Sequence, residues 1–326
     1  MNVSNHEDAR RAPLVVFPGA LGDFICFLPA LAAITRRSGA TPVLLSKEEL
    51  APLVAASGIA EHVPLEGPRG AWLFSSEPPL EAERFFRSFS SIECFTGFGD
   101  PEVAANLRRW HGADARLHRF RSPMSRHLAL HFLDAIGEPA ERLPQARLPL
   151  RRSVARRILS GRFSDLNKRT LLVVHPGSGA LSKRWSRTGF VRVALRWQRE
   201  GGETRVVIGP AESTDAPFWR SHGLDAVEGL RIDELAVLLS SASVFLGNDS
   251  GVSHLAAAVG AHGVALFGPT DERLWRPLSE AARVIRPSPW TAMEEEAPSA
   301  HVDEILAALR ERAIAATRLD KVGSAP

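Results

Sequence analysis

The chain has 326 residues, of which 44% are hydrophobic and 24% charged. That is the usage of an ordinary globular protein with apolar material for more than one core, and at roughly 150 residues per domain the length points to two domains. Lys plus Arg number 40 against 37 Asp plus Glu, a formal charge of +3, too mild a balance to imply nucleic-acid binding. The two cysteines, Cys26 and Cys94, have neither metal-type nor Cys-x-x-Cys spacing, which excludes a disulfide framework or zinc site and fits a reducing cytoplasm.

Residues 1–12 are polar and read as a flexible N-terminus, too acidic for a signal peptide. Residues 15–34 have membrane-spanning length but contain Asp23, two prolines and two glycines, which are costly in lipid. They read instead as strand (14–17), loop (18–22) and a helix whose apolar positions Phe24, Ile25, Phe27, Leu28, Leu31 and Ile34 recur at helical spacing. A strand at 43–45, a helix at 48–57, strands at 72–74 and 92–95, and helices at 102–110 and 126–136 follow. From Arg142 onward the chain turns rich in Arg and Pro, with one helix at 154–159, and this stretch to Lys168 is the expected domain junction and hinge.

A second alternating series begins with a strong strand at 171–175. A helix at 189–199, a strand at 205–208, helices at 213–221 and 232–239, a strand at 244–246, a helix at 252–259 and a strand at 264–267 complete it. Such alternation implies parallel sheets covered by helices. The expected division is 13–160 for the first domain, 161–300 for the second, and 301–326 for a terminal helix and tail.

Chemistry concentrates where strands end. Gly19, Ala20, Leu21, Gly22 and Asp23 lie between the first strand and its helix, where glycines let the backbone turn and approach a ligand. Asp23 is there either a helix cap or a general base. His175, Pro176, Gly177, Ser178 and Gly179 follow a strand, and Ser182, Lys183, Arg184 and Trp185 come next. Backbone N–H groups plus two cations suit a diphosphate, the alternative being a solvated basic loop anchored by Trp185. Between a strand and an apolar helix stand Gly247, Asn248, Asp249, Ser250, Gly251, Val252, Ser253 and His254. Asp249 or Ser250 can cap that helix, whose first turn makes an anion site. His254 either reaches the same anion or is a buried histidine bonded to backbone. Phe267, Gly268, Pro269, Thr270 and Asp271 close the next strand, with Thr270 offering a hydroxyl to phosphate.

In order and spacing these motifs, with Leu28-Pro29-Ala30-Leu31 and His254-Leu255-Ala256-Ala257-Ala258, resemble the glycosyltransferase family 9 heptosyltransferases over about residues 14–277. The resemblance implies an α/β fold of GT-B architecture, two Rossmann-like domains with parallel sheets facing across a cleft, the acceptor on the N-terminal domain and the nucleotide-sugar donor on the C-terminal one. It implies that Asp23 is the catalytic base and Lys183 the donor-phosphate lysine. Asp249, Ser250, Gly251 and His254 become the pyrophosphate loop, with Ser178, Gly179 and Thr270 beside the donor, and Glu212 holds the donor ribose. Gly19, Ala20 and Gly22 form the acceptor-side loop. The activity it implies is inverting transfer of heptose or a related sugar from an ADP-sugar to a hydroxyl of a lipopolysaccharide-type or other glycan acceptor. ADP-heptose is then a co-substrate, and neither a cofactor nor a required metal is expected. The expected partners are that donor and a glycan or lipid-linked acceptor, with peripheral contact at the inner face of the membrane and no nucleic acid. The competing readings are transfer of a different sugar to a soluble acceptor, an epimerase on the same architecture, and a catalytically idle nucleotide-binding protein.

Overall fold

The computed structural model describes residues 11–121, 125–166 and 170–323, with residues 318–323 by backbone alone. Most of the expected flexible N-terminus, and Lys168 at the end of the expected hinge, lie outside the described residues. The chain packs as two compact units. One takes residues 11–19, 30–121 and 132–139; the other takes 20–29, 125–131, 140–166 and 170–323.

The first unit is built on a parallel sheet of β1 (Leu14–Phe17), β2 (Val43–Ser46), β3 (Glu61–Pro64), β4 (Ile92–Cys94) and β5 (Ala115–Leu117), in the order β3-β2-β1-β4-β5. All four residues of β1 are fully buried, as a central strand covered on both faces requires. Phe17 meets Phe95, Phe120 and Phe132 edge-on, and Phe86 stacks on Trp110 at 4.3 Å. One charge is sunk in this unit: Glu93 of β4 has a fully buried side chain, bonded by Arg37, Arg116 and, at 2.7 Å, by His118 Nε2. Burial opposes ionisation of Glu93, yet the hydrogen bonds from His118 and Arg116 hold its carboxyl below the usual range.

The second unit carries β6 (Leu171–His175), β7 (Glu203–Val207), β8 (Asp225–Val227), β9 (Val244–Asn248), β10 (Gly263–Leu266) and β11 (Ala282–Ile285). Their order is β11-β10-β9-β6-β7-β8, every pair parallel. Counted within the unit this is 3-2-1-4-5-6 read from the β8 edge, the doubly wound dinucleotide-fold order. It puts the topological switch point between β6 and β9, where open α/β sheets take their ligands. Helices Arg187–Arg199 and Ser299–Gly323 supply Phe190, Val193, Ile305 and Leu309 to the core over β6, β9 and β10.

Two expectations change. Residues 72–74 form a 3-10 turn, Trp72–Phe74, instead of a strand. Only Leu73 of the three is buried, and a run of three apolar residues carries no period to separate turn from strand. Residues 140–160, placed in the first domain by the expected division, pack with the second unit. Ala146 and Leu148 are buried between the prolines, and their amides donate to Leu278 O and Leu148's partner Ala258 O, both at 2.9 Å. The helix Arg152–Gly161 lies against Ile232–Ser240.

Candidate active site

The loops after β6 and β9 meet at the switch point of the second sheet, and Asn248 joins them. Its side-chain amide donates to Pro176 O at 2.7 Å and its Oδ1 accepts from Trp185 N at 3.1 Å. Ser178 Oγ donates to Asp249 O at 2.8 Å, and Ser253 Oγ donates to Asn248 O at 2.5 Å. Backbone groups freed by the end of the ladder are thus satisfied by side chains inside the same two loops, which fixes the loops in place. Sequence reasoning gave Asn248 and Ser253 no role; an amide flanked by Gly247 and Asp249 at a strand end was the available signal.

The two adjacent cations separate in function. Lys183 is about one-third exposed and its Nζ donates to Asp249 Oδ2 at 2.8 Å. Arg184 is buried: Nε and Nη2 donate to Ser178 O at 3.2 and 3.1 Å, and Nη2 donates to Glu212 Oε1 at 2.7 Å. Glu212 is correspondingly buried beneath the Gly177–Ser178 turn, so close that a Cβ on Gly177 would stand 2.5 Å from its Cδ and one on Gly209 2.8 Å from Oε2. Burial pushes the Glu212 carboxyl up, against the counter-pull of Arg184 and of backbone N–H groups at Gly209 and Ser178. Its Oε1 therefore braces the loop, and the brace by Arg184 is a feature the sequence reading did not assign.

The helix Gly251–Ala258 begins at Ser250, yet neither expected cap forms. Asp249 is held by Lys183, and Ser250 makes no side-chain cap bond, its Oγ lying 3.4 Å from His175 Nδ1. The first turn of this helix keeps the polarity of an uncapped N-terminus. His254, one turn in, is 4% exposed. Burial, against the opposing pull of Asp249 and with smaller help from the charges of His127 and Lys183, lowers its pKa to about 4. His175 falls to about 4 through burial and the Arg184 charge. Both rings are neutral at pH 7.

The first turns of the helix Leu21–Ser38 belong to the same compact unit. A Cβ on Gly251 would stand 3.0 Å from Gly22 N, and one on Gly22 3.8 Å from His254 Cδ2, so the two helix N-termini approach to a distance that side chains would widen. Asp23 is the third residue of its helix, half-buried and past the cap position. Its carboxylate and that of Asp249 both act on the buried Cys26 thiol, which burial first and these charges second push far up. Gly19 is buried at the end of β1, and the exposed Ala20 accepts Phe24 N through its carbonyl at 2.9 Å. Gly179 faces open space. Thr270 is half-buried beyond β10, its carbonyl accepting from Arg286 at 3.3 Å. The structure therefore gathers Gly22, Asp23, Ser178, Lys183, Asp249, Ser250, Gly251 and His254 in one unit. Glu212 stands just behind them. Among the described residues, no helix is long and apolar enough to cross a membrane, and no group of three or more His, Cys, Asp or Glu side chains could hold a metal.

The profile of glycosyltransferase family 9 (heptosyltransferase) matches residues 118–302, more than half of the chain. The chain belongs to glycosyltransferase family 9. Lipopolysaccharide heptosyltransferase 2 of Salmonella typhimurium is 27% identical over 176 residues, half of this chain and half of that protein. The chain spans about a third to a half of the length of the curated relatives it matches. Among solved structures, E. coli ADP-heptose lps heptosyltransferase II superposes with a TM-score of 0.71 at 17% identity, covering 92% of this chain and 99% of that one. The E. coli heptosyltransferase WaaC with ADP gives 0.65 at 18%, over 91% and 99%. The fold of the family 9 chain is that of these GT-B enzymes, two parallel α/β sheets each wound about a switch point.

Proposed function

We propose that this family 9 chain is an inverting glycosyltransferase that moves a heptose, or a closely related sugar, from an ADP-sugar to a hydroxyl of a lipopolysaccharide-type glycan. One observation carries the reading. The loops after β6 and β9, with a lysine and an uncapped helix start, share a compact unit with the turn that bears Asp23. Lys183 and the first-turn N–H groups of Gly251–Ala258 suit a diphosphate. The adenine base is supported by the ADP bound in the neighbouring WaaC structure, and the heptose by the names of the curated relatives.

In this mechanism the acceptor hydroxyl oxygen attacks the anomeric carbon from the face opposite the nucleotide, and its proton passes to the Asp23 carboxylate. The bond from that carbon to the diphosphate oxygen breaks, and the electron pair leaves with the nucleoside diphosphate. One displacement inverts the centre, through an oxocarbenium-like transition state of the kind met in glycoside hydrolysis. Negative charge grows on the leaving group, so Lys183 and the helix start accelerate the step to the extent that they hold the departing diphosphate more strongly than the intact donor. Asp249 aims the lysine, and Arg184 with Glu212 keeps the Gly177–Ser178 turn in place.

The test is ADP release from ADP-heptose in the presence of an inner-core lipopolysaccharide acceptor, comparing wild type with Asp23→Asn. Loss of a general base costs about 10²–10⁴-fold, so kcat should fall by that factor while the donor's dissociation constant stays within about twofold. Unchanged turnover in Asp23→Asn would remove Asp23 from the chemistry, and transfer from a UDP- or GDP-sugar in preference to ADP-heptose would overturn the donor.

A further inference from the structure

Cys26 lies one turn after Asp23 and is 1% exposed. Its Sγ stands 3.7 Å from Nδ1 of His254, a buried contact between the two helix starts of the second unit. The contact admits two proton arrangements, S–H donating to nitrogen or N–H donating to sulfur. A neutral imidazole has one donor and one acceptor nitrogen, whereas a thiol sulfur accepts only weakly. A thiolate at Cys26 would be desolvated and would face the carboxylates of Asp23 and Asp249, so the sulfur keeps its hydrogen. With the hydrogen on sulfur and the ring neutral, the arrangement that uses the nitrogen lone pair is S–H to Nδ1. The ring hydrogen then sits on Nε2. The neighbouring Cδ2 marks where that edge lies, for it is the ring atom that a Cβ on Gly22 would meet.

We infer that Cys26 is a positioning residue whose S–H holds His254 as the Nε2–H tautomer, so that the ring serves as a neutral hydrogen-bond donor on the side where the two helix N-termini meet. The inference rests on the glycosyltransferase reading for its functional meaning. A donor at that edge stabilises charge growing on a leaving diphosphate, whereas the opposite tautomer would point a lone pair at it. Cys26 itself touches no substrate and acts through the ring.

The experiment is a two-bond proton–nitrogen correlation spectrum of protein labelled with ¹⁵N-histidine, at pH 7, with His254 assigned by its loss in His254→Asn. Wild type and Cys26→Ser should show His254 protonated at Nε2, since a serine hydroxyl donates in the same direction, and Cys26→Ala should show a tautomer mixture. In ADP-heptose turnover, Cys26→Ala should lower kcat about 10- to 100-fold with KM within about threefold, short of or equal to what removing an oxyanion donor outright costs, and Cys26→Ser should recover most of it. A wild-type His254 protonated at Nδ1, or a Cys26→Ala spectrum identical to wild type, would overturn the inference. If wild type showed the Nε2–H tautomer and no turnover with any ADP-sugar, the assignment of function would fail while the tautomer assignment stood.

Discussion

Replacing Arg184 by methionine keeps most of the side-chain volume and removes the charge. Three bonds disappear, two to Ser178 O and one to Glu212 Oε1, and the Glu212 carboxylate is left buried under Gly177 without its cation. Breaking a buried pair from one side costs about 3–5 kcal/mol. For a domain of this size about 1 kcal/mol moves Tm by roughly 2–4 °C, so Arg184→Met should melt on the order of 10 °C below wild type at pH 7. The loss should also depend on pH. The folded-state pKa of Glu212 is already raised by burial, and without Arg184 it rises further. A carboxyl raised in the folded state binds its proton more tightly there than in the unfolded chain, so stability falls as pH climbs from the unfolded value through the folded one. The gap between variant and wild type should therefore be widest at pH 7–8 and narrow towards pH 5. His175 adds in the same direction, because it loses the charge that opposes its protonation. Urea unfolding of both proteins at pH 5, 6, 7 and 8 measures the gap directly. Equal midpoints at pH 7, or a gap that widens as pH falls, would refute the bracing role.

Gly177→Ala should destabilise the second unit by about 1–3 kcal/mol, the usual cost of overpacking, because its Cβ would sit 2.5–2.8 Å from three atoms of a carboxyl group that Arg184 holds; urea midpoints check it. His175 and His254, each with a pKa of about 4 in the folded protein, contribute stability that is present above the unfolded value near 6.5 and lost as pH falls towards 4. Each should cost about 2 kcal/mol between pH 7 and 4.5, and His175→Asn should flatten the acid limb of a stability-against-pH curve. Glu93→Gln should lower the first unit's stability by about 1–3 kcal/mol at pH 7, since it removes the charge that strengthens the bonds from His118 and from two partly exposed arginines. The wild-type contribution of Glu93 is present above the ordinary carboxylate range and is lost as pH falls through its depressed folded value, so the difference between the two proteins should close at low pH.

The loops of the candidate site were more legible in sequence than the edges of the sheets that carry them. Gly22, Gly251 and Gly177 mark positions where backbone meets backbone or a buried carboxyl, and such demands are written locally, as glycines at strand ends beside polar residues. The edge strands were not legible. β3, β5, β8 and β11 each bury at most one residue, so they lack the apolar run that marks the equally short but buried β1, β4 and β10, and Glu61-His62-Val63-Pro64 ends on a proline, which suits an edge position. Long-range pairings were equally hidden. Nothing within a few residues of Cys26 announces His254, and nothing near Lys183 separates its partly exposed place from the buried one of Arg184. In a sequence the two cations are neighbours of one kind; in the fold one is aimed by Asp249 and the other supports a turn. The cap expected at Asp249 or Ser250 failed for the same reason, since both side chains are recruited from the far side of the switch point, by Lys183 and His175.

The proposed mechanism requires an adenosine diphosphate group at the switch point of the second sheet, held by Lys183. Thermal shift with ADP, UDP, GDP and ADP-heptose, without added metal, on wild type and Lys183→Met tests it most directly. A ligand at about 100 times its dissociation constant stabilises the folded state by about 2.7 kcal/mol. ADP and ADP-heptose should raise the wild-type melting temperature selectively, and the rise should largely disappear in Lys183→Met. A preference for UDP or GDP, or a shift with ADP that survives the loss of Lys183 intact, would contradict it.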